Sequence, residues 1–233
     1  MSHAKVSTAA VAVLAFSVVG CSGGQSGAGG KAATPAASSP AAPAAKVCNG
    51  LFGDTGGPIL GQMLGSRTFT ESDDSLEVES VRQAASRMAK EKKTDTVHYL
   101  CLAYAAGGTP DDFIRIDVDW YQAQPGELTG RTTRDTTTFD LLKGDGKMYA
   151  WAQDHWAIVD FRCPVAMGSE KNVVVEVAAR TSHTPASASQ TTHRELLTRT
   201  ATTAATRLAS ALGCLKESGL PSPVGKLTTV PAT

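Results

Sequence analysis

The feature that most constrains this chain is its set of cysteines. The sequence of 233 residues contains five, an odd number, and they fall into two groups. Cys21 follows an uncharged apolar run close to the N-terminus. The other four are spread over the rest of the chain: Cys48, Cys101, Cys163 and Cys214. Each group needs its own explanation, and the explanation depends on where the chain is delivered.

The first twenty residues have the composition of a secretory signal. Residues 1–5 include one lysine, and residues 6–19 are uncharged and mostly apolar. A positive start, a short apolar stretch and small residues at its end are the three parts of such a signal. The apolar stretch is shorter than the roughly 20 residues that a membrane-spanning helix needs. We therefore expect residues 1–20 to be a signal peptide.

The apolar run ends in Val18-Val19-Gly20-Cys21. This tetrapeptide resembles the lipobox of bacterial lipoproteins, in which an aliphatic residue and two small residues precede the cysteine. The resemblance implies cleavage before Cys21, attachment of lipid such as palmitate to its thiol, and a position at the cell membrane facing away from the cytoplasm. Each buried methylene contributes about 0.8 kcal/mol to membrane binding, so several acyl chains hold a protein firmly.

The charge balance limits the partners of this chain. It carries 22 basic and 22 acidic residues, a net charge of zero. Nucleic-acid binders usually carry a concentrated basic excess, so we expect no nucleic acid as a partner. Removal of the signal peptide takes away only one charged residue, Lys5. Attraction to anionic headgroups is therefore weak, and the expected membrane attachment comes from the lipid.

The four remaining cysteines predict two disulfides. An exported protein meets an oxidising environment, in which an even set of cysteines forms bridges. Three pairings exist, and the sequence favours Cys48–Cys101 with Cys163–Cys214 because the two loops are nearly equal in length. Each of these bridges joins a helical segment to a strand. The chain has no Cys-x-x-Cys pair, so we expect no metal site.

Composition divides the mature chain into three parts. Residues 21–46 contain the lipidated cysteine and a Gly/Ala/Pro/Ser-rich stretch that cannot bury apolar area, and we expect a disordered linker. Residues 47–217 are expected to form a single domain. Residues 218–233 contain several prolines without periodicity and are expected to be a flexible tail.

Hydrophobic periodicity predicts an α+β domain. Helical spacing occurs over residues 58–64 and 75–92, with a capping-box pattern at Asp74 and Glu77, and again over residues 192–212. Between them the period changes to two. The six expected strands cover residues 97–104, 113–121, 136–142, 147–151, 156–163 and 172–180. Short connections favour a mainly antiparallel sheet of about six strands, with the N-terminal and C-terminal helices packed on one face.

Known catalytic, phosphate-binding and metal-binding motifs do not occur in the sequence. It has no nucleophile elbow, zinc-protease motif, phosphate-binding loop or calcium loop, so we expect no catalytic residue, metal or cofactor. Gly144-Asp145-Gly146 is expected to be a hairpin turn. Asp117 and Asp119 share one strand face with Arg115, and a solvated strand exterior is expected there rather than a catalytic pair of carboxylates. Four histidines are expected to be structural or at the surface: His98, His155, His183 and His193.

Trp151, His155 and Trp156 form the candidate binding patch. Aromatic side chains at the end of a hairpin offer a large contact area at a small cost in entropy. The same side chains are equally suited to closing the end of the sheet core.

These observations predict a membrane-anchored extracytoplasmic lipoprotein that acts as a non-enzymatic binding or interaction module. Its ligand, a protein or a small molecule, is not identified by the sequence. The mature part also resembles small cysteine-paired lipoproteins of actinobacteria through its Ala-, Thr- and Gly-rich composition, which implies no activity. The alternatives are a cell-envelope hydrolase whose catalytic groups converge only in three dimensions, and a carrier that holds an apolar ligand between sheet and helices.

Overall fold

One antiparallel sheet organises the domain. The computed structural model describes residues 40–71, 77–91, 96–122, 135–141, 149–164, 173–183 and 189–230. In these ranges the strands are β1 Ala42–Pro43, β2 Thr68–Glu71, β3 His98–Ala105, β4 Phe113–Gln122, β5 Thr137–Asp140, β6 Tyr149–Ala152, β7 Trp156–Arg162, β8 Val173–Arg180 and β9 Thr228–Thr229. Their order across the sheet is β1-β2-β3-β4-β8-β7-β6-β5-β9, and neighbouring strands are antiparallel.

A long helix near the C-terminus packs on this sheet. The helices in the same ranges are α1 Val47–Gly50, α2 Gly53–Leu64, α3 Val81–Met88, α4 Gln190–Leu212 and α5 Leu215–Ser218. Helix α4 contacts β5 to β8, and both α2 and α3 contact α4. No helix within the described ranges is long and apolar enough to span a bilayer.

Strand alternation divides the side chains between two faces of the sheet. On β4, Ile114 and Ile116 are fully buried, and they belong to the same core cluster as Leu197 of α4. Arg115 and Asp117 alternate with them and so point to the opposite side. We call this side, opposite the core face, the outer face.

Threonine is abundant in α4 although much of this helix is buried. Five of its hydroxyl groups donate to the backbone carbonyl four residues earlier, at 2.8–2.9 Å: Thr198, Thr200, Thr202, Thr203 and Thr206. These bonds avoid the cost of burying an unpaired hydroxyl. The helix ends at Gly213, which adopts a left-handed conformation with φ 79°. The sequence predicts the same end and a start two residues later.

Helix α2 approaches its neighbours so closely that two positions require glycine. A Cβ on Gly56 would lie 2.7 Å from Cγ2 of Thr203 in α4 and 3.1 Å from Cβ of Phe52. A Cβ on Gly57 would lie 2.9 Å from the backbone nitrogen of Ala45. Real Cβ contacts are longer than this, so glycine lets α2 touch both α4 and the N-terminal segment.

Two disulfides tie the helical layer to the sheet. Cys48–Cys101 joins α1 to β3, and Cys163–Cys214 joins the end of β7 to the end of α4. All four cysteines are buried. These are the pairs that the sequence favours, with sequence separations of 53 and 51 residues.

The α+β class and the large antiparallel sheet are confirmed, but the expected number of strands is wrong. The described residues form nine strands rather than about six. The expected six correspond to β3–β8, while β1, β2 and β9 are two to four residues long and lie at the ends of the strand order. Such short segments show no alternation, since pairing with a neighbour defines them. The expected Gly144-Asp145-Gly146 turn lies outside the described residues.

Helix α3 is shorter than its sequence pattern predicts. A helix is expected over 75–92, but α3 begins after Ser80, whose hydroxyl accepts the N–H of Gln83 while the Gln83 side chain accepts the N–H of Ser80. Upstream, the N–H of Glu79 donates to the carbonyl of Tyr99 at 2.8 Å. The segment before α3 therefore follows β3 instead of extending the helix, and the capping box sets the helix start.

The folded domain extends beyond both boundaries expected from composition. Ala42–Pro43 pairs with β2, although the sequence predicts a linker over 21–46. At the other end Leu220 and Leu227 are buried and β9 pairs with β5, although the sequence predicts a flexible tail over 218–233. The alanine and proline residues near residue 43 show no hydrophobic periodicity, so composition places the start of the domain later in the chain than the structure does. Residues 21–39 and 231–233 lie outside the described ranges.

Loss of either disulfide should destabilise the domain to a similar degree. A loop of about 50 residues contributes about 4 kcal/mol on the chain-entropy model, and measured values are often lower. We expect Cys163→Ala combined with Cys214→Ala to lower the free energy of unfolding by about 2–4 kcal/mol in urea denaturation. Cys48→Ala combined with Cys101→Ala is the matched comparison. Unchanged unfolding in both double variants would contradict this account.

The close contact between α2 and α4 is tested by adding a methyl group at Gly56. Gly56→Ala should cost about 1–3 kcal/mol through overpacking, although alanine is favoured over glycine in a helix by about 1 kcal/mol. Thr203→Ser removes Cγ2 and keeps the hydroxyl, so the double variant should recover most of the loss in chemical denaturation. Gly225→Ala is the control because a Cβ there meets no atom within 4 Å. A neutral Gly56→Ala, or a double variant no better than the single one, would refute the close approach.

Candidate functional site

The structure separates the three residues of the expected patch. Trp151 on β6 is only 3% exposed, so it offers no surface to a ligand. His155 is exposed between β6 and β7, and its carbonyl accepts the N–H of Thr181. Trp156 is half-buried, and its indole N–H donates to Oε1 of Gln153 at 3.0 Å. His155 and Trp156 are thus the members that reach the surface.

Strand register places Trp156 beside two arginines. Trp156 of β7 pairs with Arg180 of β8, and Arg180 pairs with Arg115 of β4. The three side chains therefore form one row across the outer face. Two like charges directly opposite each other destabilise a sheet, so this row needs a counter-charge.

A buried carboxylate supplies that counter-charge. Oδ2 of Asp117 accepts hydrogen bonds from Nε of Arg180 at 2.7 Å and Nη2 of Arg115 at 3.0 Å, and Nε of Arg115 lies 2.8 Å from Oδ1. The Asp117 side chain is 10% exposed, whereas those of Arg115 and Arg180 are 34% and 43% exposed. One negative charge thus holds two guanidinium groups, and the cluster keeps a net charge of +1.

This part of β4 differs from the solvated strand exterior that the sequence predicts. Asp117 is buried and ion-paired instead of hydrated. Asp119, two residues on, pairs in register with Glu176, and Glu176 pairs with Asp160 on β7. The hydroxyl of Tyr121 donates to Oδ2 of Asp160 at 3.0 Å. The outer face therefore carries a basic row and, four residues further along β4, an acidic row.

A cavity of about 200 Å³ lies over these rows, and we call it the outer-face cavity. Arg115 and Arg180 line it, together with Tyr99, whose ring centre is 5.8 Å from Cζ of Arg115. Val97 lines it as well and is 46% exposed, the one large exposed hydrophobic side chain among the described residues. The cavity thus combines charged groups with an apolar rim.

The space between sheet and helices gives little support to an apolar carrier. Such a carrier requires a cavity lined by valine and alanine next to α4. Val159 and Val177 of the core face and Ala204 of α4 are instead fully buried in one packed cluster. A larger concavity, of about 680 Å³, lies at the surface along α2, where Gly57 and Gly61 line it.

A histidine–carboxylate pair bears on the alternative of a hydrolase. Nδ1 of His183 lies 2.6 Å from Oδ1 of Asp112. The backbone N–H of Thr109, then the bond to His183, holds the pKa of Asp112 below its ordinary value. Within the described part of the chain, no serine, threonine or cysteine side chain hydrogen-bonds the His183 imidazole. The neighbouring Ser182 hydroxyl donates to the carbonyl of Asp111, so it is not bonded to His183 as a nucleophile would be.

A second histidine, His98, is too deeply buried to contact a substrate. His98 lies between Glu79, 3.4 Å from Nδ1, and Glu91, 3.0 Å from Nε2. Glu79 is also 3.0 Å from Arg87 of α3. The His98 side chain is 1% exposed. Because Glu79 precedes α3 and Glu91 follows it, this cluster holds both ends of the helix on β3.

The start of α4 forms a third cluster around Asp154. Nε2 of His193 lies 2.8 Å from the Asp154 carbonyl, and Arg194 and Gln190 donate to its carboxylate at 2.8 and 2.9 Å. Burial lowers the pKa of His193, and the bonds from Gln190 and Arg194 lower the pKa of Asp154. The cluster fixes the β6–β7 turn on α4. Over the described ranges, no group of three or more His, Cys, Asp or Glu residues is arranged to hold a metal ion.

The Asp112–His183 pair predicts a defined loss of stability in acid. The pKa of Asp112 is lowered from its ordinary value of 3.8, so its ionised form stabilises the fold above that pH and the contribution is lost as pH falls through the lowered pKa. Asp112→Asn should lower the melting temperature at pH 7, and the difference from wild type should shrink below about pH 4. The exposed Asp111→Asn is the control. A difference that stays constant down to pH 2 would contradict this linkage.

The clusters in the described ranges differ in what they offer a partner. The histidine clusters join segments of the chain, whereas the outer-face cavity presents half-exposed guanidinium groups on a fixed framework. No protein-family model matches this chain, and neither a curated protein nor a solved structure matches it.

Proposed function

We propose that this chain is a lipid-anchored extracytoplasmic protein whose domain binds a ligand on the outer face of its sheet. The observation that carries the binding role is the pair Arg115 and Arg180, held half-exposed by the buried Asp117. Helix α4 packs on the core face, and the outer-face cavity leaves these guanidinium groups accessible to a ligand. Side chains fixed on paired strands are a precise framework for binding.

The location is supported by the sequence and by the cysteines. Val18-Val19-Gly20-Cys21 resembles a lipobox and follows a run typical of a signal peptide. The four cysteines of the domain form two buried disulfides, and such bridges persist in oxidising compartments. The two observations favour the same side of the membrane, since a lipobox also directs a protein away from the cytoplasm.

A binding role is favoured over catalysis by the state of the charged groups. Asp117 is engaged by two guanidinium groups, so it compensates charge and is not presented to a substrate. His98 is buried, and His183 has no nucleophile bonded to its imidazole within the described residues. Hydrolysis by a nucleophile requires such a bonded pair.

The lipid anchor is tested by metabolic labelling. In a bacterium that processes lipoproteins, the wild-type chain should incorporate an alkyne analogue of palmitate and sediment with membranes. Cys21→Ser should lose the label and the sedimentation because it removes the thiol that is acylated. Ser22→Ala changes the next residue and keeps the thiol, so it should behave as wild type. The intact mass of the mature wild-type protein should correspond to a chain that begins at Cys21 and carries acyl groups.

Three results would overturn the proposed anchor. They are a wild-type chain without label, a Cys21→Ser variant that keeps the label, and a mature mass that begins at Met1.

A further inference from the structure

We propose that the outer-face cavity binds a small zwitterion with one carboxylate, a free amino acid or a dipeptide. This inference rests on the proposed binding function and names the ligand class of that same site. It follows from the charge at each end of the cavity, from its volume and from its apolar rim.

The carboxylate is assigned to the end formed by the two arginines. Asp117 engages Nε and Nη2 of Arg115 and Nε of Arg180, and it neutralises one of their two charges. The remaining N–H groups of these half-exposed guanidiniums form a donor array with one surplus positive charge. Guanidinium groups bind carboxylates through paired hydrogen bonds, so this end suits a single carboxylate.

The other end of the cavity disfavours a ligand that carries a second negative charge. Asp119 and Glu176 line it and are opposed in register on β4 and β8. Their carboxylates repel a dianion and favour a ligand with a positive group. The basic row lies four residues from the acidic row along the strands, and Asp117, which both guanidinium groups contact, lies between them. Asp117 is two residues from Asp119, about 7 Å at 3.3–3.4 Å per residue. A dipeptide spans that separation with its two charged termini.

The volume and rim restrict the ligand further. Sites for drug-sized ligands occupy about 300–1,000 Å³, so a cavity of about 200 Å³ admits only a smaller molecule. Val97, exposed at the rim, and the Tyr99 ring provide apolar contact beside the charged groups. These contacts suit a ligand with small alkyl side chains between its two charges.

The test measures binding by titration calorimetry with four probes. The protein is the full-length chain with Cys21→Ser. This variant lacks the thiol that lipid would modify, so the titration does not depend on the proposed anchor. Alanylalanine should bind, and its carboxamide, which lacks the carboxylate, should bind at least tenfold more weakly. N-acetylalanine, which lacks the ammonium group, and succinate, a dianion, should also bind more weakly than alanylalanine, with succinate the weaker of the two.

Matched variants assign the binding to the arginine pair. Arg180→Gln should weaken alanylalanine binding at least tenfold. Arg180→Lys retains the charge that balances Asp117 but loses the planar donor fork of the guanidinium group, so it should also weaken binding. It serves as the test if the glutamine variant does not fold. Arg162→Gln is the control, because Arg162 is exposed on the outer face of β7 and does not line the cavity. Circular dichroism melting curves verify the fold of each variant.

Four results would overturn the inference. They are no binding of alanylalanine, equal binding of its carboxamide, tighter binding of succinate, and an equal effect of Arg162→Gln and Arg180→Gln. Each would exclude the proposed ligand class without affecting the test of the lipid anchor, since the titrated protein carries no lipid. Loss of the palmitate label would remove the anchor and leave the calorimetry unaffected.

Discussion

The contact of α4 with the core face of the sheet is the constraint on which the remaining structure depends. Threonine hydroxyl groups bonded to their own helix backbone and small alanines such as Ala201 and Ala204 let this helix lie close to the strands. Gly56 allows α2 to approach the same helix, and Cys163–Cys214 fixes its end to β7. Because the core face is fully occupied, Arg115, Asp117 and Arg180 lie on the outer face, where they compensate one another.

Asp117 shows how that compensation produces a rigid site. Burial of a carboxylate is costly, and two ion pairs with guanidinium groups offset the cost. Arg115 is two residues away on the same strand, whereas Arg180 is 63 residues away on β8. Since β4 and β8 are paired along their length, the three groups cannot move independently. A ligand that meets such a preformed site loses little binding energy to the ordering of side chains.

The sequence predicts the centre of the sheet well and the site only in part. Alternation along β4 places Arg115, Asp117 and Asp119 on one face, because a period of two is a local property. The burial of Asp117 depends on Arg180, whose position is set by strand register and leaves no local signal. The sequence pattern misses the short strands β1, β2 and β9 for the same reason. Trp156 belongs to the expected patch, but its neighbour is Arg180 rather than the buried Trp151.

The sheet order also places the proposed ligand site away from the strand at which the described chain enters the sheet. The described chain enters the sheet at β1, and β4 lies three strands away in the sheet order. At 4.7–4.9 Å per strand this separation is about 14 Å, and β8 lies one strand further. The Arg115–Arg180 row therefore lies on central strands and not on the edge strand. Strands paired on both sides hold this row in place, whereas an edge strand is held on one side only.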